Sequence, residues 1–252
     1  MSVFNDYSRY YNLLYKDKPY KEEVDFVNGL IRKNYIGTPK SLLDLGCGTG
    51  RHDLIFAELG YDVIGVDMSE QMVAIAKQKS KESHKGAEFQ IGDIRSLRLN
   101  KQFDVVVSLF HVFSYQVTNE DLNKAFVTVK THLKNGGIFI FDFWYGPAVL
   151  TDRPSVRDKK LEDDEIIINR NTVPVMHANE NSVDVNFTVD IRAKKDNSIS
   201  QIKEIHKMRY LFIPELLHIA SLHGFRVVEY KEWVTSKELD YNTWNGYMIC
   251  TV

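Results

Sequence analysis

Five residues, Gly46-Cys47-Gly48-Thr49-Gly50, place three glycines directly behind the short apolar run Ser41–Leu45. A glycine in regular structure costs roughly 0.5–1 kcal/mol relative to alanine. Such a cluster therefore marks a tight turn, or a backbone that another group must approach closely. The apolar run has the length of a buried strand, and Arg51–Leu59 has the pattern of a helix closed by Gly60. A strand that turns through glycines into a helix is the opening unit of a doubly wound α/β sheet. Ligands of such sheets bind outside the carboxyl ends of the strands.

The following sequence sustains the alternation. Tyr61–Asp67 reads as a second strand, and Ser69 as the N-cap of a helix carrying Met72, Val73 and Ala76. "AEFQIGD" and "FDVVVSLF" follow as the third and fourth strands. Asn119 opens a helix through Leu133, "NGG" ends it, and "IFIFDFW" is the fifth strand. This spacing predicts a mostly parallel sheet covered on both faces. From about Glu165 the helical period disappears. Val183, Val185, Phe187, Val189 and Ile191 alternate with Asp184, Asn186, Thr188 and Asp190, which predicts a strand with one wet face. With "EIIINRNTV" and "QIKEIHKMRY" as neighbours it forms a three-stranded antiparallel β-meander. A helix over Pro214–His223, then "FRVVEYKEW" and "GYMICTV", return the chain to a sheet of seven strands.

The first 35 residues carry two helical faces separated by Pro19: Tyr7, Tyr10, Tyr11 and Leu14, then Tyr20, Val24, Val27 and Ile31. The expected division is an N-terminal helical lid over 1–35, a sheet domain over 36–150 and 211–252, and an inserted antiparallel sheet over 151–210. The insert suits either a cover for a substrate or a dimer surface; exposed sheet edges invite pairing.

Composition narrows the function. The chain has 252 residues, 44% hydrophobic and 26% charged, with net charge −2 and no basic cluster, which argues against a nucleic-acid partner. No apolar run approaches the roughly 20 residues that span a bilayer, and the start lacks the pattern of a signal peptide. Cys47 and Cys250 are far apart, and the eight histidines show no ligand spacing. The expectation is a cytoplasmic protein with neither disulfide nor metal.

The glycine spacing is GxGxG, with Arg51 where a dinucleotide fingerprint would place its third glycine, and Asp44 precedes it. "DLGCGTG" resembles motif I of the class I S-adenosylmethionine-dependent methyltransferases, which implies a Rossmann-like methyltransferase fold and that cofactor. The resemblance implies that Asp44 orients the methionine end, that Gly46 and Gly48 admit it, and that Asp67 grips the ribose hydroxyls. Asp93 would meet the adenine amino group beside the Ile94 amide, with Cys47, Gly50, Met68, Leu109, Tyr15 and Tyr20 completing the site. The Tyr-rich start, "YKDKPY", "SLFHVFSYQVTNEDL" and the late meander are similar to small-molecule N-methyltransferases, most of all those acting on nucleotide-linked amino sugars.

In that subfamily a leading-helix tyrosine, matching Tyr7, and a histidine after the fourth strand orient the substrate amine. The histidine's position holds Tyr115 here, and His111 lies four residues earlier. His111, Tyr115 and Tyr7 are thus the catalytic candidates, and Tyr11, Trp144 and Tyr145 border the acceptor pocket. His111 reads equally as a proton acceptor or as a core histidine bonded to a carbonyl. The implied activity transfers a methyl group to a small-molecule acceptor, an amine such as a nucleotide-linked amino sugar, leaving S-adenosylhomocysteine, in a monomer or homodimer. Alternatives are a hydroxyl acceptor, a nucleic-acid or protein acceptor, a cofactor-binding regulator without transfer activity, and a NAD-dependent oxidoreductase. Against nucleic acid stands Ser108-Leu109-Phe110-His111, where base-amino methyltransferases carry an (N/D/S)PP(Y/F/W) run.

Overall fold

The structure, a computed structural model, describes residues 10, 11 and 13–252; the expectation for Tyr7 lies outside them. Helix α1 (Tyr20–Asn34) leads into β1 (Ser41–Leu45), α2 (Arg51–Glu58), β2 (Asp62–Asp67), α3 (Glu70–Glu82) and β3 (Glu88–Ile91). Then come β4 (Phe103–Ser108), a 3₁₀ turn (Val112–Tyr115), α4 (Asn119–His132), β5 (Leu133–Trp144) and α5 (Gly146–Thr151). Strands β6 (Arg157–Glu162), β7 (Ile166–His177), β8 (Ser182–Ala193) and β9 (Ile199–Arg209) precede α6 (Ile213–Leu222), β10 (Arg226–Glu232) and β11 (Asn245–Thr251).

The main sheet runs β10-β11-β5-β4-β1-β2-β3, parallel except for β11 and β10. Strand order reverses between β1 and β4, so their carboxyl ends form the switch point that doubly wound sheets use for ligands. Alternation along β1 divides the core. Leu43 and Leu45 pack with α4 and α6 residues such as Phe126 and Leu216. Leu42 packs on the other face with Val24, Val27 and Phe56 of α1 and α2. Ser69 caps α3 as its sequence suggests, accepting from the Met72 amide at 3.3 Å.

Three local expectations need correction. Thr118, not Asn119, caps α4; its hydroxyl accepts from the Asp121 amide at 3.0 Å. "NGG" falls within β5, where the pairing with β4 shifts register between Phe103 and Val105. The antiparallel sheet has four strands, β6-β7-β8-β9, rather than three. Its extra strand, "RDKKLE", is mostly exposed and pairs only with β7, so no alternation betrays it.

The sheet β6–β9 has a partner for its apolar face. Tyr10 and Leu14 of the leading segment pack against Ile166, Ile168, Val189 and Ile191. Among the described residues no helix is long and apolar enough to cross a membrane.

Candidate active site

The glycine turn is knitted to β2 by its backbone. The amides of Gly46 and Cys47 donate to the Val66 carbonyl at 2.7 and 3.0 Å, and the Gly48 amide donates to Asp67 Oδ2 at 2.9 Å. The three glycines have separate reasons. A Cβ on Gly46 would lie 2.5 Å from Val112, and one on Gly50 2.5 Å from Phe89. Those two serve packing and the left-handed turn. Among the described residues, a Cβ on Gly48 would meet nothing nearer than the Tyr11 hydroxyl at 3.7 Å. Gly48 is the one of the three that opens on the crevice. The Cys47 side chain is buried behind the turn with Val73, Ala76 and Phe89, and Leu109 is buried under β4.

Acids ring this crevice. Asp67 Oδ1 also accepts from the Ser69 amide at 2.9 Å, so two amides fix its carboxylate at the end of β2. Met68 beside it is 70% exposed. Asp93 follows β3 but is gripped by Arg95, whose Nε and Nη2 lie 2.9 and 2.6 Å from its two oxygens. Arg95 holds the Asp93 carboxyl below its usual range. Ile94 next to it is buried. Asp44 is 1% exposed and Asp53, in the first turn of α2, is 0% exposed. Burial raises Asp44 well above the ordinary carboxylate range, and Asp53 adds to the rise. Asp142 of β5 is also buried.

The loop after β4 is strained. Phe110 and His111 both have left-handed backbones, at φ 68° and 64°, each costing on the order of 1–3 kcal/mol; such strain concentrates at functional sites. It aims His111 at Asp142: the His111 amide lies 3.0 Å from Asp142 Oδ1, and Nδ1 lies 2.7 Å from Oδ2. The clamp is made by the backbone amide; Nδ1 stands beside the carboxylate without a hydrogen bond to it. The Trp144 ring stands 6.4 Å from the imidazole.

Aromatic residues form the front wall. Tyr11 and Tyr15 rings lie 4.7 Å apart, and Tyr15 meets Phe110 edge-on at 5.2 Å. The Lys18 ammonium sits over both Tyr20 and Phe110, at 4.5 and 4.6 Å. Lys18 also pairs with Glu23, which lies 2.7 Å from His52 Nε2, a buried knot that fastens this segment to α2. Burial pushes the Tyr15 and Tyr20 phenols up to about 12, keeping them neutral.

From above, β9 brings His206 to Tyr115, with Nδ1 at 2.6 Å from the phenol oxygen, and Glu204 stands 3.2 Å from Nε2. Tyr145 turns elsewhere. It packs against the core cluster that Phe126 and Leu216 belong to, and burial, then Tyr241, Tyr230 and Asp240, raise its phenol.

Residues 42–137 match the family model "Methyltransferase domain". The chain is an S-adenosylmethionine-dependent methyltransferase. It is 29% identical, over 90% of its own length and 92% of the relative's, to the dTDP-3-amino-3,4,6-trideoxy-alpha-D-glucopyranose N,N-dimethyltransferase of Streptomyces venezuelae. It is 31% identical to the dTDP-4-amino-2,3,4,6-tetradeoxy-D-glucose N,N-dimethyltransferase of Saccharopolyspora spinosa, over 60% of this chain and 58% of that protein. An S-adenosylmethionine-dependent methyltransferase structure from Clostridium acetobutylicum shares the fold at TM-score 0.83 and 22% identity, covering 100% of this chain and 99% of that one.

The methyltransferase's crevice fits a sulfonium nucleoside on its own terms. Gly48 leaves room against the backbone, Asp44 Oδ1 is buried without a donor, and four acids surround a place for a cation. Asp142, Lys18, His206, Glu204 and Asp53 escape a reading by motif. Asp142 did leave a signal, since an acid inside "IFIFDFW" must be buried for a purpose. His206 left none; only pairing of β8 with β9 carries it to Tyr115.

Proposed function

We propose that this methyltransferase methylates the amine of a small molecule, of the class of nucleotide-linked amino sugars, using S-adenosylmethionine as donor. The observation that carries the reading is His111 at the switch point, its backbone amide held by Asp142 and its imidazole 2.7 Å from that buried carboxylate. The amino-sugar class is supported by the Streptomyces venezuelae relative, whose match covers 90% of this chain and so extends beyond the sheet domain into the insert.

When bound, S-adenosylmethionine supplies a methyl group on a positively charged sulfur that departs as a neutral thioether. Asp67 holds the ribose, and Asp44 with Gly48 receives the amino-acid end. An amine attacks only when neutral, so His111 Nε2 takes its proton, and Asp142 stabilises the imidazolium that results. Tyr115, its hydroxyl donating to His206 while His206 donates to Glu204, orients the acceptor through its remaining lone pair. Tyr11, Tyr15, Phe110 and Trp144 exclude water and favour the cationic state of the reacting centre. Holding the two reactants in line supplies about 7–11 kcal/mol of the barrier reduction. The inserted sheet acts as the cover of the acceptor site, and the division into lid, sheet domain and insert follows this reading.

Labelled cofactor tested against nucleotide-linked amino sugars, simple amines and hydroxyl acceptors decides the matter. Label is expected on nitrogen. His111→Ala is expected to lower kcat about 10²–10⁴-fold with unchanged affinity for S-adenosylhomocysteine. Transfer to hydroxyl acceptors alone would remove the amine assignment.

A further inference from the structure

Asp53 has no place in the scheme above, yet the fold builds a chamber for it. Gly65 of β2 must lack a side chain, because a Cβ there would lie 2.7 Å from Asp53 Oδ1. Asp44 projects from β1 on the face covered by α2, and the two carboxyl groups meet there, fully buried. Asp44 Oδ1 and both Asp53 oxygens are buried without a hydrogen-bond partner. An ionised carboxylate offers no hydrogen, so this contact is a hydrogen bond only when one of the two holds a proton. The other groups facing the pair do not relieve it. Asp67 from β2 acts on both carboxyls, Asp142 from β5 acts on Asp44, and the Cys47 thiol of the glycine turn is itself pushed up by burial and then by Asp53, Asp44 and Asp67.

We propose that Asp53 is a positioning residue for cofactor capture: it shares one proton with Asp44 in the free protein, and that proton leaves to solvent when the cationic cofactor binds beside the pair. The cofactor's positive charge then replaces the proton's. Asp53 holds Asp44 in place in both states, and the second negative charge appears only when a cation is there to balance it. Burial puts the Asp53 carboxyl at about 7 with Asp44 as its donor and raises Asp44 well above the ordinary carboxylate values, so the free pair keeps the one proton it shares over the neutral and mildly alkaline pH range. Because the cofactor favours the ionised pair, its affinity is expected to fall as pH drops through that range, by up to about tenfold per unit for one linked proton.

The inference rests on the crevice being the cofactor site. Calorimetric titration of S-adenosylmethionine into the full chain, in two buffers of different ionisation enthalpy, counts the protons released. At about pH 8, where the free pair holds one proton, close to one proton per cofactor is expected, and more at about pH 6, where the pair begins to hold two. Asp53→Asn is expected to bind cofactor with the release abolished and the pH dependence flattened. Equal release from Asp53→Asn, or none from the parent at any pH, would overturn the proposal. Should Asp53→Asn fail to fold, infrared difference spectra of the parent serve: a protonated-acid carbonyl band must vanish on binding, and its persistence counts against the exchange. Gly48→Val separates the premises, since undiminished binding there would displace the site itself.

Discussion

Asp104 and Asp44 are buried aspartates on neighbouring parallel strands, about 10 Å apart along the ladder. The fold treats them in opposite ways. At the amino end, Asp104 accepts from the Lys40 and Ser41 amides, the Ser41 hydroxyl and the Tyr35 phenol, each at 2.9 Å, and from Lys134 at 2.8 Å. Burial alone would raise its pKa, but Lys134 and the donors from residues 40 and 41 outweigh that and hold it well below the ordinary range. At the carboxyl end, Asp44 keeps an oxygen without a donor and faces a second acid. A buried carboxylate surrounded by donors ties a structure together; one left wanting is raised in pKa and kept for a ligand. The amino end of this sheet is tied together by donors; the carboxyl end, in the function proposed above, is left for the cofactor.

Substitutions test that contrast, beginning with the largest effect. Asp104→Ala leaves two amides, a hydroxyl, a phenol and the Lys134 ammonium without their acceptor, and is expected to cost about 2–4 kcal/mol in urea unfolding. Cofactor affinity of the folded fraction should not change. Asp67→Ala should do the reverse, losing about 1–3 kcal/mol of cofactor binding with little change in melting temperature.

The two ends also differ in pH dependence. Asp104 is lowered on folding, so its contribution is present above its unfolded value and is lost as pH falls toward its folded one. Asp53 is raised, so its ionisation costs stability as pH climbs from the unfolded value toward about 7. Asp53→Asn is accordingly expected to stabilise the protein by on the order of 1–2 kcal/mol at about pH 8, with a smaller gain at about pH 5. Thermal melts across that range check the sign. Tyr35→Phe removes one of five donors to Asp104 and should cost about 0.5–1.5 kcal/mol, the smallest of these effects.

The two ends were unequally legible in the amino-acid order. The glycine turn, Asp67 and the Ser69 cap are set by residues within a few positions of one another, so local pattern suffices for them. The place of His111 after the fourth strand also made it a candidate. Its partner Asp142 lies 31 residues on and became visible only when β4 and β5 paired. Asp53 looks in sequence like an ordinary acid in a helix's first turn, and its contact with Asp44 depends on how α2 lies across β1. Gly46 reads as a ligand glycine but yields its space to Val112, because the loop after β4 folds back against the turn. The strand "RDKKLE" lacks an apolar face, and its position was decided by β7.

One titration bears most directly on the claim that the crevice opposite Tyr11 holds the cofactor. Gly48→Val fills that space, and a valine in a left-handed backbone costs about 1–2 kcal/mol, a loss that melting experiments measure separately. Calorimetry with S-adenosylhomocysteine is expected to show binding weakened more than about tenfold, equivalent to 1.4 kcal/mol, in protein that is still folded. Folded Gly48→Val that bound the nucleoside as tightly as the parent would contradict the account.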